Sequence, residues 1–297
     1  MITVSPLAAA DSRLLSLTYP RYRAGLSAEA MADPHRHGLV ATHDDGAPIG
    51  LLLLQRTVPE TWRVLSVAVA KPWRQRGVGL ALMRAAEDWA GGTGAAELAA
   101  LFSDNMQGQE AWRALLRRAG WNEPRLCRVS LTGPVTWAAE ARGEWRGLFR
   151  RLAATGFTVT PWHQRSAADE RRLTDLAAEA GELAPVPDPP PEELSVVIRE
   201  HGEPVGWVLG CSSDRAKEVF YPVGYVVPRL QRLGWLIGGL IEACIRQQEI
   251  LGADSTCAFM TADDNREMQG FMLRRLNKWT TRLDRHYDCA KALAART

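Results

Sequence analysis

The sequence has no cysteine pair with metal-binding or redox spacing, no long apolar segment and no strong excess of either charge. Its five cysteines are isolated from one another, which is typical of a reducing compartment and argues against a disulfide framework or a zinc site. No run approaches the roughly 18 apolar residues of a membrane span. The formal net charge is only +2, so neither a membrane nor a nucleic acid is expected as a partner. The first residues, MITVSPLAAADSRLL, have no basic segment before their apolar residues and do not resemble a signal peptide. We therefore expect a cytoplasmic protein.

Histidine is also scarce, with six residues in the chain. Asp33, His35 and His37 lie close together, with His43 nearby. A metal site needs ligands that converge and partners that orient them, and a surface turn explains this stretch better. We expect no metal, although the stretch could line a substrate pocket.

The chain contains two copies of one pattern. Four landmarks recur in the same order about 155–160 residues apart. They are ITVSP and FTVTP (2–6 and 157–161), GAPIG and GEPVG (46–50 and 202–206), Arg74-x-x-Gly77 and Gln231-x-x-Gly234, and Asn105 and Asn265. The chain of 297 residues has room for two domains. We expect an N-terminal domain over 1–133, a linker helix over 134–155 and a C-terminal domain over 156–297.

Each copy has the same predicted order of elements. A short strand and a polar helix precede a hairpin, a further strand, a glycine loop, an amphipathic helix, another strand, a helix and closing strands. This mixture predicts an α+β fold with a sheet flanked by helices. The five prolines between 182 and 194 cannot continue a helix and predict a surface loop in the second copy.

The first copy has a basic, glycine-containing loop between a strand and a helix. The strand ends at Val69, the loop is KPWRQRG, and the helix begins near Gly79. Helix N-termini have unpaired N–H groups and partial positive charge, and glycine allows close approach of a phosphate. Arg74 and Arg76 can add charge-assisted contacts. The pattern is neither a Walker loop nor GxGxxG.

The spacing Arg-x-x-Gly-x-Gly after this strand resembles the acyl-CoA pyrophosphate motif of the GNAT acyltransferase superfamily. The order of elements in both copies is similar to that family, and the tandem arrangement resembles that of mycothiol synthases. Asn105, followed by a helix, resembles the second CoA-side motif of the family. The resemblance implies two GNAT-type domains in tandem, with acetyl-CoA as acyl donor and a small-molecule amine as acceptor.

The resemblance also implies roles for individual residues. The strand at Val67 and Val69 would pair with the pantetheine arm, and a backbone N–H of the strand would polarise the thioester carbonyl. The loop from Arg74 to Gly79 would hold the pyrophosphate. The expected cofactor-binding residues are Val67, Val69, Arg74, Gln75, Arg76, Gly77, Val78, Gly79 and Asn105.

Catalytic residues are harder to assign. Many family members have a tyrosine acid where this chain has Leu116, and a glutamate base on the strand before the loop, where this chain has only Ser66. Glu60, just upstream, is the other weak candidate and is equally compatible with a loop carboxylate. Proton transfer could therefore involve water or a side chain not yet assigned, or it could be absent.

The second copy keeps Gly234 but has Leu236 at the position of Gly79. We expect this leucine to crowd a pyrophosphate, with Arg229 and Arg232 as partial compensation. Glu218 and Tyr221 are interpreted as ordinary strand residues. An acetyltransferase acting on a small amine is the favoured function. A catalytically inactive CoA-binding sensor or scaffold, and an enzyme using a longer acyl chain or an acyl carrier protein, remain open.

Overall fold

The computed structural model describes residues 2–7, 12–185, 192–213 and 215–293. The chain forms two compact units. The first consists of Met1–Cys127 together with Arg285–Thr297, and the second is Arg128–Asp284. Each unit contains a mixed sheet and helices, so the expected α+β class is confirmed.

The first copy of the repeat begins with a strand and short helical turns and ends in a long strand. Its elements are β1 (Thr3–Pro6), α1 (Ala28–Met31), β2 (Arg36–Thr42), β3 (Pro48–Val58), β4 (Thr61–Val69), α2 (Val78–Gly92), β5 (Glu97–Ser103), α3 (Gln109–Arg118) and β6 (Arg125–Pro134). Three short 3-10 turns lie between β1 and α1, at Ser12–Leu17, Pro20–Tyr22 and Ala24–Leu26.

The second copy repeats this order after two additional helices. Its elements are α4 (Trp137–Glu144), α5 (Arg146–Ala154), β7 (Phe157–Pro161), α6 (Ala167–Ala180), β8 (Val196–Glu200), β9 (Glu203–Ser212), β10 (Glu218–Val226), α7 (Trp235–Leu251), β11 (Thr256–Ala262), α8 (Arg266–Phe271) and β12 (Arg282–Ala292). A π-helical turn at Met272–Leu276 follows α8.

Local chemistry explains several of these elements. The helix α6 begins with a capping box, in which Ser166 and Asp169 each bond the other's backbone N–H. The hairpin β8–β9 turns at His201 and Gly202, both with positive φ, which is the backbone of a tight type I′ turn.

The first unit has the strand order β1-β2-β3-β4-β5-β12. Its neighbours pair antiparallel except for β4 and β5, which are parallel. One face of the sheet packs against α2 and α3 around Leu82, Met83 and Leu116. The other face packs on the 3-10 turns through a smaller cluster that includes Leu14 and Leu51.

The second unit repeats this design with the order β6-β11-β10-β9-β8-β7. Here β10 and β11 are the parallel pair. The core surrounds Trp207 and Trp235, which are both fully buried. The repetition inferred from the sequence is therefore present as two sheets of the same strand order.

The boundaries of the two units differ from the expected domain boundary at residue 133. From residue 285 onwards β12 pairs with β5 and belongs to the first unit, while β6 from residue 128 pairs with β11 and belongs to the second. The last strand of each copy thus completes the sheet of the other. Both strands make the same antiparallel pairing, so the repeat pattern does not distinguish the two partners.

The expected linker helix over 134–155 is two helices, α4 and α5, separated at Trp145. Both belong to the second unit, where Trp137, Ala141 and Leu152 are buried in the core. The apolar faces of these helices are covered within that unit, so the segment is part of its core. Of the proline-rich stretch expected as a loop, residues 186–191 lie outside the described part of the chain.

Candidate functional site

A cleft opens between the parallel strands β4 and β5 of the first unit. Their pairing runs from Thr61↔Glu97 to Val64↔Ala100, although β4 continues to Val69. On the other side of β4 the register shifts, because Ser66 pairs with Leu53 and Val64 pairs with Leu54. This bulge at Leu65 bends the strand. Within the described chain, the last five residues of β4 therefore present a backbone edge that β5 does not pair.

The loop after β4 leads this edge into the N-terminus of α2. Gln75 and Gly77 both have positive φ, at 60° and 86°, and Gly77 is the N-cap residue. No side chain caps the helix, and its first turn contains no acidic residue. A Cβ added to Gly77 would meet nothing within 4 Å. The N–H groups of the first turn thus face an open approach suited to an anion.

The two arginines of this loop have different environments. Nε of Arg74 donates a hydrogen bond to the carbonyl of Val69 at 3.1 Å, so Arg74 shapes the loop. The guanidinium of Arg76 lies 5.5 Å from the ring centre of Trp73, which His43 also contacts. Among the described residues, no carboxylate forms an ion pair with Arg74 or Arg76. Positive charge at this loop is therefore not neutralised within the first unit.

The expected strand residues divide between the two faces of the sheet. Val67 and Val69 pack against the core beneath α2, so only their backbone faces the cleft. Ser66 is 5% exposed, and its hydroxyl lies 3.3 Å from that of Thr18. Its neighbours Leu65 and Ala68 pack on the opposite side, against the 3-10 turns. Ser66 thus lies at the level of the cleft.

Glu60 lies at the wrong end of β4 for a role in the cleft. It occupies the turn before Thr61, and its carbonyl accepts hydrogen bonds from the N–H groups of Ala96 and Glu97. At about 3.3 Å per residue it is roughly 30 Å along the strand from Val69. We no longer regard Glu60 as a catalytic candidate.

The remaining CoA-side residue, Asn105, lies two residues after the end of β5 in an exposed turn. The helix α3 begins only at Gln109. Leu116, at the position where many relatives have a tyrosine, is 1% exposed and packs in the core. Asn105 is thus on the side of the loop, and Leu116 offers no proton donor.

Sequence reasoning missed the residues that β12 contributes to this unit. Tyr287 stacks on Phe102 of β5, and Asp288 lies directly opposite Leu101. These residues belong to the last strand of the second copy, so their presence in the first unit depends on the strand exchange. The alternation of charged and apolar residues in RHYDCAKA predicts a strand and carries no signal for its partner.

The equivalent loop of the second unit has the same backbone and a different surface. Arg232 and Gly234 have φ of 66° and 89°, and Nε2 of Gln231 donates to the carbonyl of Val226 at 3.2 Å. The pairing of β10 with β11 also ends early, at Tyr221. The cleft geometry of the first unit is therefore retained here.

Leucine side chains fill the second cleft. A Cβ added to Gly224 of β10 would lie 2.8 Å from Cδ1 of Leu236, and one added to Gly234 would lie 2.5 Å from Cδ1 of Leu148. Leu236 thus lies on the strand edge, and Leu148 covers the helix N-terminus.

Both arginines expected to compensate in the second loop are paired with carboxylates. Arg229 bonds Glu200, and Arg232 bonds Glu267 at 2.6 Å. The Arg229 contact also lowers the pKa of Glu200. The positive charge at this loop is therefore neutralised internally, and the expected compensation is not supported.

The strand residues Glu218 and Tyr221 of this unit have structural partners. The hydroxyl of Tyr221 lies 3.1 Å from Oε1 of Gln247, and burial raises the pKa of this tyrosine. Glu218 accepts a hydrogen bond from Ser213 at 2.8 Å. These contacts support the interpretation of both residues as parts of the scaffold.

The histidine-containing stretch places its imidazole rings in different surroundings. In the described residues, no group of three or more histidine, cysteine or acidic side chains converges as metal ligands would. His37 instead stacks on Trp89 with ring centres 3.6 Å apart, and burial lowers its pKa to about 4. No helix in the described part of the chain is long and apolar enough to cross a membrane.

Comparison with known proteins agrees with this geometry. The sequence model of the Acetyltransferase (GNAT) family matches residues 7–121, which contain the open loop and cleft. No curated protein sequence matches the chain.

Solved structures match the whole chain. A tandem GNAT protein from the clavulanic acid biosynthesis pathway is 15% identical, with both chains covered completely and a TM-score of 0.62. A GCN5-related N-acetyltransferase from Sphaerobacter thermophilus is also 15% identical over 100% of this chain and 98% of its own, with a TM-score of 0.60. At these identities the likeness shows the fold.

Residues 7–121 are thus similar in sequence to the GNAT acetyltransferase family, and the whole chain has the fold of a tandem GNAT protein. The likeness to these two structures extends over both units, so each unit has a GNAT-type fold. Proteins of this family use an acyl-CoA donor and a separate acceptor.

Proposed function

We propose that the first unit transfers an acetyl group from acetyl-CoA to the primary amine of a small metabolite. The observation that carries this proposal is the open loop after β4. There an uncapped helix N-terminus, two unpaired arginines and a free strand edge adjoin one another. The second unit has the same backbone with each of these features covered or neutralised.

The residues fit the donor in three places. The N–H groups of Val78 and Gly79, with the charge of Arg76, would hold the pyrophosphate. The strand edge at Val67 and Val69 would pair with the pantetheine arm. A Cβ at Gly79 would already lie 3.4 Å from Leu115, so this position has little room for a larger side chain. Gln75 shapes the loop through its positive φ, and Asn105 borders it on the side of α3.

The chemistry requires little from side chains. A neutral amine attacks the thioester carbon, the new C–N bond forms, and the C–S bond breaks to release CoA. The amine loses one proton and the leaving sulfur gains one. A backbone N–H at the bulge of β4 would stabilise the charge on the carbonyl oxygen. Ser66 is held by Thr18 on the acceptor side, where it would orient the amine.

We infer that the second unit does not bind CoA and serves as scaffold. Leu236 and Leu148 cover its cleft and helix N-terminus, and the two arginines are neutralised. Five free thiols are compatible with a cytosolic setting, which forms part of the proposal.

One observation favours a second function. Leu116 is buried where many relatives have a tyrosine acid, and Glu60 lies far from the cleft. A catalytically inactive protein that binds CoA would need neither group. This alternative predicts tight CoA binding without transfer.

Titration calorimetry of acetyl-CoA, followed by a thiol-release assay with a broad amine panel, tests the proposal. We expect one site per chain and transfer to at least one amine. Two sites would contradict the scaffold role of the second unit. Binding without transfer would favour the inactive alternative, and preference for a longer acyl-CoA would replace acetyl as the group transferred.

A further inference from the structure

The sheet of the first unit has one face that α2 and α3 do not cover. We define it by Arg63, Leu65, Ser66, Ala99, Leu101 and Asp288, of which Leu65 and Ser66 are covered by the 3-10 turns and Thr18. The neighbours of these residues along the strands are buried beneath the helices; they are Trp62, Val64, Leu98, Ala100 and Phe102. Because side chains alternate along a strand, residues between them face the other way. Asp288 pairs directly with Leu101 and therefore shares its face.

Asp288 has one carboxylate oxygen engaged and one unsatisfied. Its Oδ2 lies 3.3 Å from the guanidinium of Arg125. Its Oδ1 is buried and has no hydrogen-bond partner among the described residues. Leaving a buried acceptor without a donor is unfavourable. A cationic donor supplied by a ligand would remove this cost.

Arg63 provides the opposite charge on the same face. Its Nε is buried and has no hydrogen-bond partner among the described residues. Across the sheet, Gln55 pairs with both Arg63 and Arg36, and Arg36 has its own carboxylate partner in Asp33. Arg63 has no such partner in the described chain. A planar guanidinium in this state is suited to bind a carboxylate.

The spacing of these two groups matches a small molecule. Ala99 of β5 pairs with Arg63 on one side and with Ala290 on the other, and Asp288 lies two residues from Ala290. Two strand spacings and two residues of rise separate the two α-carbons by roughly 12 Å. Arginine and aspartate side chains directed toward each other across this distance would leave space for a small molecule with two charged groups.

The position of the cleft decides which end would react. Pairing of β4 with β5 ends at Val64↔Ala100, so the cleft begins beside Leu101 and Ser66. Asp288 lies opposite Leu101, at the level of the cleft. Arg63 precedes Val64, in the part of β4 that is still paired with β5. A cationic amine bound at Asp288 would be next to the cleft, and an anionic group bound at Arg63 would be farther from it.

We propose that the acceptor carries a carboxylate as well as its amine, as amino acids do, with Asp288 positioning the amine and Arg63 binding the carboxylate. This inference rests on the proposed function of the first unit. It assigns a specificity role to Arg63 and a positioning role to Asp288. The exchanged strand β12 thereby supplies part of the acceptor site.

The test compares L-amino acids with their carboxamides and with the decarboxylated amines. Transfer rates and calorimetric binding in the presence of CoA are both measured, so the comparison does not depend on turnover. We expect at least tenfold preference for compounds with the carboxylate. Equal use or binding of the decarboxylated amines would overturn the proposal while leaving the proposed function intact. If no acetyl transfer occurs but binding still depends on the carboxylate of the ligand, only the proposed function would be contradicted.

Two variants sharpen this test. Arg63→Gln should raise KM at least tenfold for the amino acid and less than twofold for the decarboxylated amine. Asp288→Asn should weaken both amines and leave the Kd for acetyl-CoA unchanged. Glu123→Gln, an exposed carboxylate of the same unit, is the control and should change neither value. An equal effect of Arg63→Gln on both acceptors would contradict the assignment.

Discussion

Leu236 of the second unit lies against Gly224, so closely that a Cβ on the glycine would be 2.8 Å from Cδ1 of the leucine. The first unit has the reverse combination, with Val67 on the strand and Gly79 on the helix. In each unit one of these two equivalent positions carries a large residue and the other carries glycine. A large residue at the helix position, as in the second unit, covers the strand edge at the cleft. A large residue at the strand position, as in the first unit, leaves that edge open.

The double variant Val67→Gly/Gly79→Leu copies the closed combination into the first unit. We expect it to lose acetyl-CoA binding by at least 100-fold while its melting temperature stays within a few degrees of the wild type, because total packing volume is nearly conserved. Calorimetry and thermal melting measure the two effects. Gly79→Ala is the control, since its Cβ makes an ordinary contact with Leu115. Retained binding in the double variant would contradict the location of the donor site.

Arg76→Gln removes an unpaired charge from the open loop. Hydrogen bonds to charged groups contribute about 1.5–3 kcal/mol, and the exposure of Arg76 favours the lower end. We therefore expect about tenfold weaker binding of acetyl-CoA and a smaller dependence of Kd on salt. Arg232→Gln is the matched change in the second unit, where Glu267 already neutralises the charge. Equal effects of the two changes would show that both loops bind the donor.

Removal of residues 285–297 deletes the strand that pairs with β5. This deletion also removes Tyr287 and Cys289 from the core of the first unit. We expect loss of acetyl-CoA binding and of the cooperative unfolding of that unit. Removal of 294–297 alone leaves the paired residues in place and should preserve both. A functional protein lacking residues 285–297 would contradict the strand exchange.

Asp169 and Arg199 form an ion pair of low exposure in the second unit, with two hydrogen bonds of 2.7 and 2.9 Å. The Arg199 contact holds the pKa of Asp169 well below its ordinary range. The pair therefore stabilises the fold fully above about pH 4, and this contribution is lost as the pH falls further. Asp169→Asn should lower the free energy of unfolding of the second unit by about 3 kcal/mol. Because the variant lacks the titrating carboxylate, this free energy should also depend less on pH in acid. Denaturant titrations between pH 7 and 2 measure both effects. Asp175→Asn, an exposed change in the same helix, should do neither.

His37 gives the first unit a different pH dependence. Burial lowers its pKa from 6.5 to about 4, so the unfolded chain binds this proton before the folded chain does. Stability is therefore complete above about pH 6.5 and decreases as the pH falls toward 4. His37→Phe retains a ring to stack on Trp89 and should reduce the loss in melting temperature between pH 7 and 5. His35→Gln, at an exposed position, should leave that loss unchanged.

The loop between β4 and α2 of the first unit illustrates what a sequence pattern can predict. Gln75, Gly77 and Gly79 follow one another in the chain, and their backbone conformation depends on local sterics, so the loop was predictable from its residues. The roles of Arg74 and Arg76 were not separable in this way. The difference between their environments depends on the carbonyl of Val69, which contacts Arg74, and on the ring of Trp73, which contacts Arg76.

The second loop shows the corresponding limit. Leu236 was recognisable as an obstacle because it replaces a glycine at a repeated position. Glu200 and Glu267, which neutralise the arginines, come from distant parts of the second unit. Leu148 lies in a segment interpreted as a linker, because its helical spacing did not reveal what its apolar side covers.

The sequence by itself determined the duplication, the α+β class and the glycine-containing turn of the first loop, since each depends on residues close together in the chain or repeated at a constant offset. Tertiary structure alone decided which copy each final strand completes, and with it the presence of Asp288 beside Leu101 in the first unit. Strand pairing uses backbone groups that every residue possesses. The choice between two equivalent partners is therefore made by long-range packing.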